Sequence, residues 1–234
     1  MKTSVIIPCF NEKENLEDLF SSWMKELLDK NIEVIFVNNG SLDDSYRIFL
    51  ELSKKFNHQK DNFKILNLKK NVGYGGGIQA GLNIATGDVL SWCHADNQVE
   101  VKDVIKLINY YNSHIDKNFI LKGKRTNRPL LDRIFTYLMS LLVFLTTRKH
   151  ILDINAQPKI FSKNFYTDKN SYSKDFLFDL DFLLSIKKKK IDIVEKTITI
   201  QDRKFGKAKG GGSFYGKLKL SIKTIIYLLR FKDV

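Results

Sequence analysis

The apolar pattern begins almost at the first residue. Residues 4–7, Ser-Val-Ile-Ile, form a mostly β-branched run that stops at Pro8 and predict a strand. Leu16, Leu19, Phe20, Trp23 and Leu27 then recur at helical spacing, so a helix is expected from Asn11 or Glu12 to about Leu28. Residues 33–37 read as a second strand, and a helix opened by Asp43 or Asp44 reaches about Phe56. Residues 63–68 are a third strand. A glycine-rich turn, 71–77, leads into a helix carrying Ile78, Leu82 and Ala85. Residues 89–93 form a fourth, buried strand; a helix over 99–113 and a strand over 119–121 follow. Alternation at this spacing means right-handed βαβ units. The fold class is therefore α/β, with a mostly parallel sheet covered by helices on both faces.

The second half departs from that rhythm. Residues 129–147 predict a helix that is apolar almost all round, with a narrow polar stripe of Arg133, Thr136, Tyr137, Ser140 and Thr147. A surface helix would be more polar. Such a helix is either buried, dimer-forming, or laid on a membrane interface. Its longest apolar run, 137–145, is interrupted by Ser140 and is short of the roughly 20 residues a spanning helix needs. A short strand lies within 153–162. A helix over 175–189 carries Asp179 and Asp181, which at a spacing of two do not share a face. Residues 191–200 read as a strand and 201–213 as a basic, glycine-rich loop. Residues 214–231 form a basic amphipathic helix suited to the domain surface or to anionic lipid. The expected division is one domain over 1–213 and this helix within 214–234.

Composition adds one strong constraint. A chain of 234 residues, 43% hydrophobic and 28% charged, is ordinary for a domain with a full core. Its net charge of +13 is not ordinary and calls for an anionic partner: nucleic acid, a lipid surface or a phosphorylated substrate. Nucleic acid ranks low, because the basic residues are not interleaved with stacking aromatics in a known module pattern. Cys9 and Cys93 fall in predicted buried strands without metal-type spacing, as free thiols of a reducing cytosol do. The first apolar run is too short for a signal peptide. The expected location is cytoplasmic, peripheral on the inner face of the membrane.

The candidate chemistry concentrates at 85–98, Ala-Thr-Gly-Asp-Val-Leu-Ser-Trp-Cys-His-Ala-Asp-Asn-Gln. A buried strand stops and delivers His94, Asp96 and Gln98 at its carboxyl end, where open α/β sheets bind ligands. A carboxylate and an amide oxygen are hard donors suited to Mg²⁺ or Mn²⁺ bridging phosphates.

Several motifs in fixed order then carry a resemblance. They are Val-Ile-Ile-Pro-Cys-Phe-Asn-Glu-Lys-Glu-Asn (5–15), Ile-Phe-Val-Asn-Asn-Gly-Ser-Leu-Asp-Asp (35–44), Asn-Val-Gly-Tyr-Gly-Gly-Gly-Ile (71–78), Ala-Thr-Gly-Asp (85–88), His-Ala-Asp-Asn-Gln (94–98) and Arg-Lys-Phe-Gly-Lys-Ala-Lys (203–209). Over roughly residues 4–213 the chain resembles the family 2 glycosyltransferases of the GT-A, Rossmann-like fold, nearest their polyprenyl-phosphate (dolichyl-phosphate mannose synthase-like) branch. The resemblance implies a metal-dependent, inverting transferase that takes a sugar from a nucleotide-diphosphate donor. It places Pro8, Phe10, Glu12, Asn38, Asn39 and Gly73 at the nucleotide, with His94 and Lys209. Asp96, Gln98 and His94 fall at the cation, and Arg203 with Lys209 over the diphosphate. Arg125, Arg133 and Tyr137 fall at the acceptor. Asp96, Arg125, Arg203 and Asp179 are the candidate catalytic groups.

A lipid-phosphate acceptor needs no general base. A sugar hydroxyl does, and Asp153, Asp179 and Asp181 are the candidates. The alternatives are therefore a polyprenyl phosphate, a glycan hydroxyl of a cell-surface polysaccharide, and a non-catalytic nucleotide-sugar-binding module. A homodimer is compatible with each. The last alternative is motivated by two departures: His94 stands where the family has an Asp, and Asn38-Asn39 where it has an acidic pair.

Overall fold

The computed structural model describes residues 1–27, 31–56, 62–167, 172–206 and 214–230. The elements in order are β1 (Thr3–Cys9), α1 (Lys13–Glu26), β2 (Ile32–Asn39), α2 (Ser45–Lys55), β3 (Phe63–Leu68), α3 (Tyr74–Ile84), β4 (Val89–Trp92) and α4 (Val101–Ser113). Then follow β5 (Phe119–Thr126), α5 (Leu130–Thr147), β6 (Lys159–Ser162), α6 (Phe178–Lys188), β7 (Asp192–Thr199) and α7 (Phe214–Arg230). One seven-stranded sheet runs β3-β2-β1-β4-β6-β5-β7. Its strands are parallel except β6, which is antiparallel to both β4 and β5. The expected mostly parallel α/β sheet is thus present.

Alternation along each strand divides the core between the two faces. Val5, Ile7, Val34 and Phe36 meet α1, α2 and α4, around Phe20, Trp23 and Phe49. Ile6, Ile35, Val37 and Trp92 meet α3 and α6, around Ile78, Phe178 and Phe182. Leu228 of α7 belongs to this second cluster, so α7 packs on the domain.

Local differences from the sequence expectation each have a reason. β1 continues through Pro8 to Cys9. The Ile6 carbonyl accepts from Cys93 N–H, so Pro8 faces the same side two residues on, where β4 has already ended and no donor is needed. The glycines of 73–77 do not form a turn throughout: α3 starts at Tyr74. Gly73 adopts φ +86°, and a Cβ there would lie 2.3 Å from the Lys174 carbonyl oxygen. A Cβ on Gly77 would lie 2.9 Å from Asn39 Nδ2. These glycines are there for close approach.

β5 runs on to Thr126 because β7 pairs with it along its whole length, overriding the weak strand propensity of Gly123-Lys-Arg. α5 is 18 residues long and, by length and composition, apolar enough to cross a membrane, with mean hydropathy 1.5. It extends well beyond the apolar run 137–145. Here it packs beside α7 and buries only Ser140, Val143 and Thr147.

Candidate active site

A cavity of about 750 Å³ opens at the carboxyl ends of β1, β2 and β4 and continues beneath α5 and α7. Pro8, Phe10, Glu12, Asn39, Gly73, His94, Asp96 and Gln98 line its first end. Asn38 does not line it, because neighbouring strand residues point to opposite sides. Its Nδ2 donates to Asn67 Oδ1 at 2.6 Å, and its Oδ1 accepts from Ser41 N–H at 3.4 Å. Asn39 reaches the wall, yet its amide holds the glycine segment: Val72 N–H donates to Oδ1 (3.1 Å), and Nδ2 donates to the Gly73 carbonyl (2.9 Å). Both amides at 38–39 therefore serve contacts within the protein.

Asp96 sits at the floor, 9% exposed. Its Oδ1 accepts from Gln98 N–H at 3.2 Å, a tight turn that Asn97 completes with φ +56°. Its Oδ2 accepts from Arg203 Nη2 at 2.7 Å. The segment carrying Arg203 is laid along the 96–100 loop. Gln201 N–H donates to the Gln98 carbonyl (2.8 Å), Gln98 Nε2 donates to the Gln201 carbonyl (3.2 Å), and Gln201 Nε2 donates to Glu100 (2.9 Å). His94 lies against the Tyr74 ring, centroids 5.7 Å apart. Burial lowers its pKa, against the upward pull of Asp96 and Asp179, so the imidazole is neutral near pH 7. Lys209 lies outside the described residues.

The far end holds two guanidinium groups. Asp153 accepts from Arg125 Nε at 3.0 Å and from its Nη2, while Arg128 Nη1 stands 3.7 Å away. Arg128 also donates to Thr136 of α5 at 2.8 Å. Burial pushes the Asp153 carboxyl up, but the Arg125 hydrogen bonds and the charges of Arg125, Lys122 and Arg128 more than reverse this and hold it low. Arg133 and Tyr137, expected at the acceptor, are not brought to the cavity. They are exposed on the outer side of α5, while Asp132, Phe135, Thr136 and Met139 face inward. At 100° per residue, Arg133 and Tyr137 fall one step round the helix from Asp132 and Thr136 and so lie off the cavity wall.

The two helical aspartates separate as expected. Asp181 accepts from Ser173 N–H (2.6 Å) and from the Tyr227 hydroxyl. Asp179 lines the cavity but is 1% exposed and holds four donors: Lys159 Nζ, Trp92 Nε1 (3.2 Å), Gln157 Nε2 (3.3 Å) and the Tyr74 hydroxyl (3.0 Å). Burial lowers Lys159 to about 8, against the pull of Asp179. Lys217 of α7 pairs with Asp132 of α5 across the rim.

Tyr74, Arg128, Gln157 and Lys217 join the wall beyond the residues expected from the sequence. Arg128 had a signal, since it falls between two cavity segments beside Pro129. Tyr74 lies inside the 71–78 motif, whereas Gln157 and Lys217 carry no local signal, because their partners lie far along the chain.

Residues 4–169 match the family described as glycosyl transferase family 2. The chain belongs to that family. Among this glycosyltransferase's relatives is a dolichol-phosphate mannosyltransferase of Pyrococcus furiosus, 33% identical over 140 residues, 58% of this chain and 38% of the relative. Dolichyl-phosphate beta-glucosyltransferases of Trichomonas vaginalis and Saccharomyces cerevisiae are 24% and 25% identical. They align with 97% and 84% of this chain, and the chain spans 74% and 66% of their lengths. The glucosyl-3-phosphoglycerate synthase of Mycobacterium tuberculosis, solved with Mn²⁺, UDP and its product, superposes with TM-score 0.73. It is 16% identical, and the match covers 97% of this chain and 78% of that one. That likeness shows a shared GT-A fold.

Proposed function

We propose that this chain transfers a sugar from a nucleotide-diphosphate donor to a polyprenyl phosphate, with inversion and with a divalent cation, Mg²⁺ or Mn²⁺. One observation carries the reading: a single cavity joins the Asp96–Arg203 pair to the Arg125–Arg128 pair beneath a helix whose outer face is apolar. A donor diphosphate suits the first pair, and a lipid-borne phosphate suits the second. The names of the dolichyl-phosphate relatives agree with this choice.

The donor set supports a cation that shares its ligands with substrate. Among the described residues no cluster of three or more His, Cys, Asp or Glu forms a metal cage. Asp96 would be the anionic ligand, with Gln98 Oε1 and neutral His94 as further donors, and phosphate oxygens would complete the shell. The lining also calls for added positive charge. Despite the net charge of +13, the described cavity wall carries six carboxylates against four cationic side chains. When bound, the cation offsets the charge that develops on the departing nucleoside diphosphate.

The chain's own residues do the rest. Arg203 turns from Asp96 to the diphosphate, and the paired strap over 201–203 keeps water from it. Pro8, Phe10, Glu12, Asn39 and Gly73 bound the nucleoside. Arg125 and Arg128 orient the acceptor phosphate, itself a nucleophile that needs no base near neutral pH. Consistently, Asp96, Asp132, Asp153 and Asp179 each already face a cation. α5 and α7 rest on anionic lipid with their exposed apolar side chains, among them Leu131, Leu138, Ile222 and Leu229.

The test is Asp96→Ala. Nucleoside diphosphate should stabilise the wild type in a thermal-shift assay more strongly with Mn²⁺ than with EDTA, and the variant should lose that difference. A difference that survives in the variant refutes the cation assignment.

A further inference from the structure

We propose that Gln157 selects the transferred sugar, its carboxamide oxygen accepting a hydrogen bond from one sugar hydroxyl. This rests on the glycosyltransferase reading and names a specificity contact within that site.

Gln157 is 1% exposed, yet it lines the cavity. Its Nε2 donates to the Tyr74 hydroxyl at 2.7 Å and to Asp179 Oδ1 at 3.3 Å. A carboxylate only accepts, so turning the amide round would set oxygen against oxygen, and the orientation is settled by chemistry. The partners are themselves immobilised. Asp179 is held by Lys159 and Trp92, and the Tyr74 ring lies between His94 and Phe176, stacked on the latter at 5.2 Å. Gln157 Oε1 is therefore fixed in direction, and it has no hydrogen-bond partner among the described residues.

Buried acceptors without partners are rare in native proteins, and each asks for an explanation. Of the buried side-chain oxygens that lack a hydrogen bond among the described residues, only Gln157 Oε1 belongs to a residue of the cavity wall. What it can take follows from its chemistry. An uncharged, acceptor-only oxygen repels the oxygens of a phosphate and suits a hydroxyl donor. Its place fits a sugar as well: Gln157 is tied to Tyr74, which flanks His94 at the donor end, and it follows Asp153, which pairs with Arg125 at the acceptor end. The transferred sugar must lie between those ends. A site built around a substrate hydroxyl discriminates strongly against the analogue that lacks it.

The experiment is calorimetric titration of the full chain with Mn²⁺, using UDP, GDP, UDP-glucose and GDP-mannose. Gln157→Met keeps the volume and removes the acceptor. Its affinity for the nucleoside diphosphate should stay within about 2-fold of wild type, while its affinity for the matching nucleotide sugar falls by about 10- to 100-fold. One monodeoxy donor should lose a similar factor against wild type and nothing further against the variant. That deoxy series on wild type decides the matter even if the variant folds poorly. Equal weakening of diphosphate and sugar conjugate, or a deoxy series without a single sensitive position, overturns the assignment. Failure of wild type to bind any of the four probes instead overturns the proposed nucleotide-sugar donor on which it rests.

Discussion

Glu33 sits at the opposite end of the sheet from the cavity, and removing its charge should be felt in stability. The carboxylate is fully buried. Its Oε1 accepts from the Ser4 hydroxyl (2.6 Å), Thr86 N–H (2.6 Å) and the Thr86 hydroxyl (2.9 Å); Oε2 faces Lys64 at 2.9 Å and Lys2 at 3.4 Å. These contacts pin the Ala85-Thr-Gly-Asp turn from which β4 starts, the strand that delivers His94 and Asp96. Burial pushes the carboxyl up, but the Ser4, Thr86 and Lys64 hydrogen bonds reverse this and bring it from 4.5 to about 2. Because the folded-state pKa is depressed, the contribution is complete above 4.5 and is lost as pH falls towards 2. At about 1.4 kcal/mol per pKa unit the full effect is about 3 kcal/mol, of which about 1.4 kcal/mol is gone by pH 3.5. Glu33→Gln keeps the shape and removes the charge. Urea unfolding should find the variant less stable by about 3 kcal/mol at pH 7, with the gap narrowing by about half at pH 3.5. A gap that stays constant between these pH values, or is absent at pH 7, would refute the reasoning.

Arg128→Ala should raise the KM for a polyprenyl phosphate by about 10-fold, whereas Arg133→Ala on the outer side of α5 should change it by less than about 2-fold. The reverse order in a transfer assay would return the acceptor phosphate to Arg133. Leu131 and Leu138 are 68% and 53% exposed. Changing both to Ser should leave stability within about 1 kcal/mol but reduce binding to anionic vesicles at least about 10-fold by flotation. Unchanged flotation would sink the lipid contact.

The alternation of apolar runs determined the layered α/β sheet, because burial on one helix face or on both strand faces leaves a local period in the chain. The ordered motifs determined the family, and two of them carry Asp96 and Arg203, which line the cavity. What no local period carries is which of two adjacent side chains turns inward. Asn38 and Asn39 look equivalent in the sequence; the pleat sends one to Asn67 and the other to Gly73. Arg133 is expected at the acceptor, but α5 turns it outward, while Thr136 on the inward side holds Arg128 at the cavity wall. The glycines of 73–77 read as a turn until packing on 173–175 required bare backbone within a helix. No local pattern carries the side-chain contacts of the cavity either, since their partners are joined across the fold: Asp96 to Arg203 over 107 residues, Tyr74 to Asp179 over 105. Side-chain period is a property of neighbours along the chain. Desolvated charge and an acceptor left over, such as Gln157 Oε1, exist only after distant segments have been brought together.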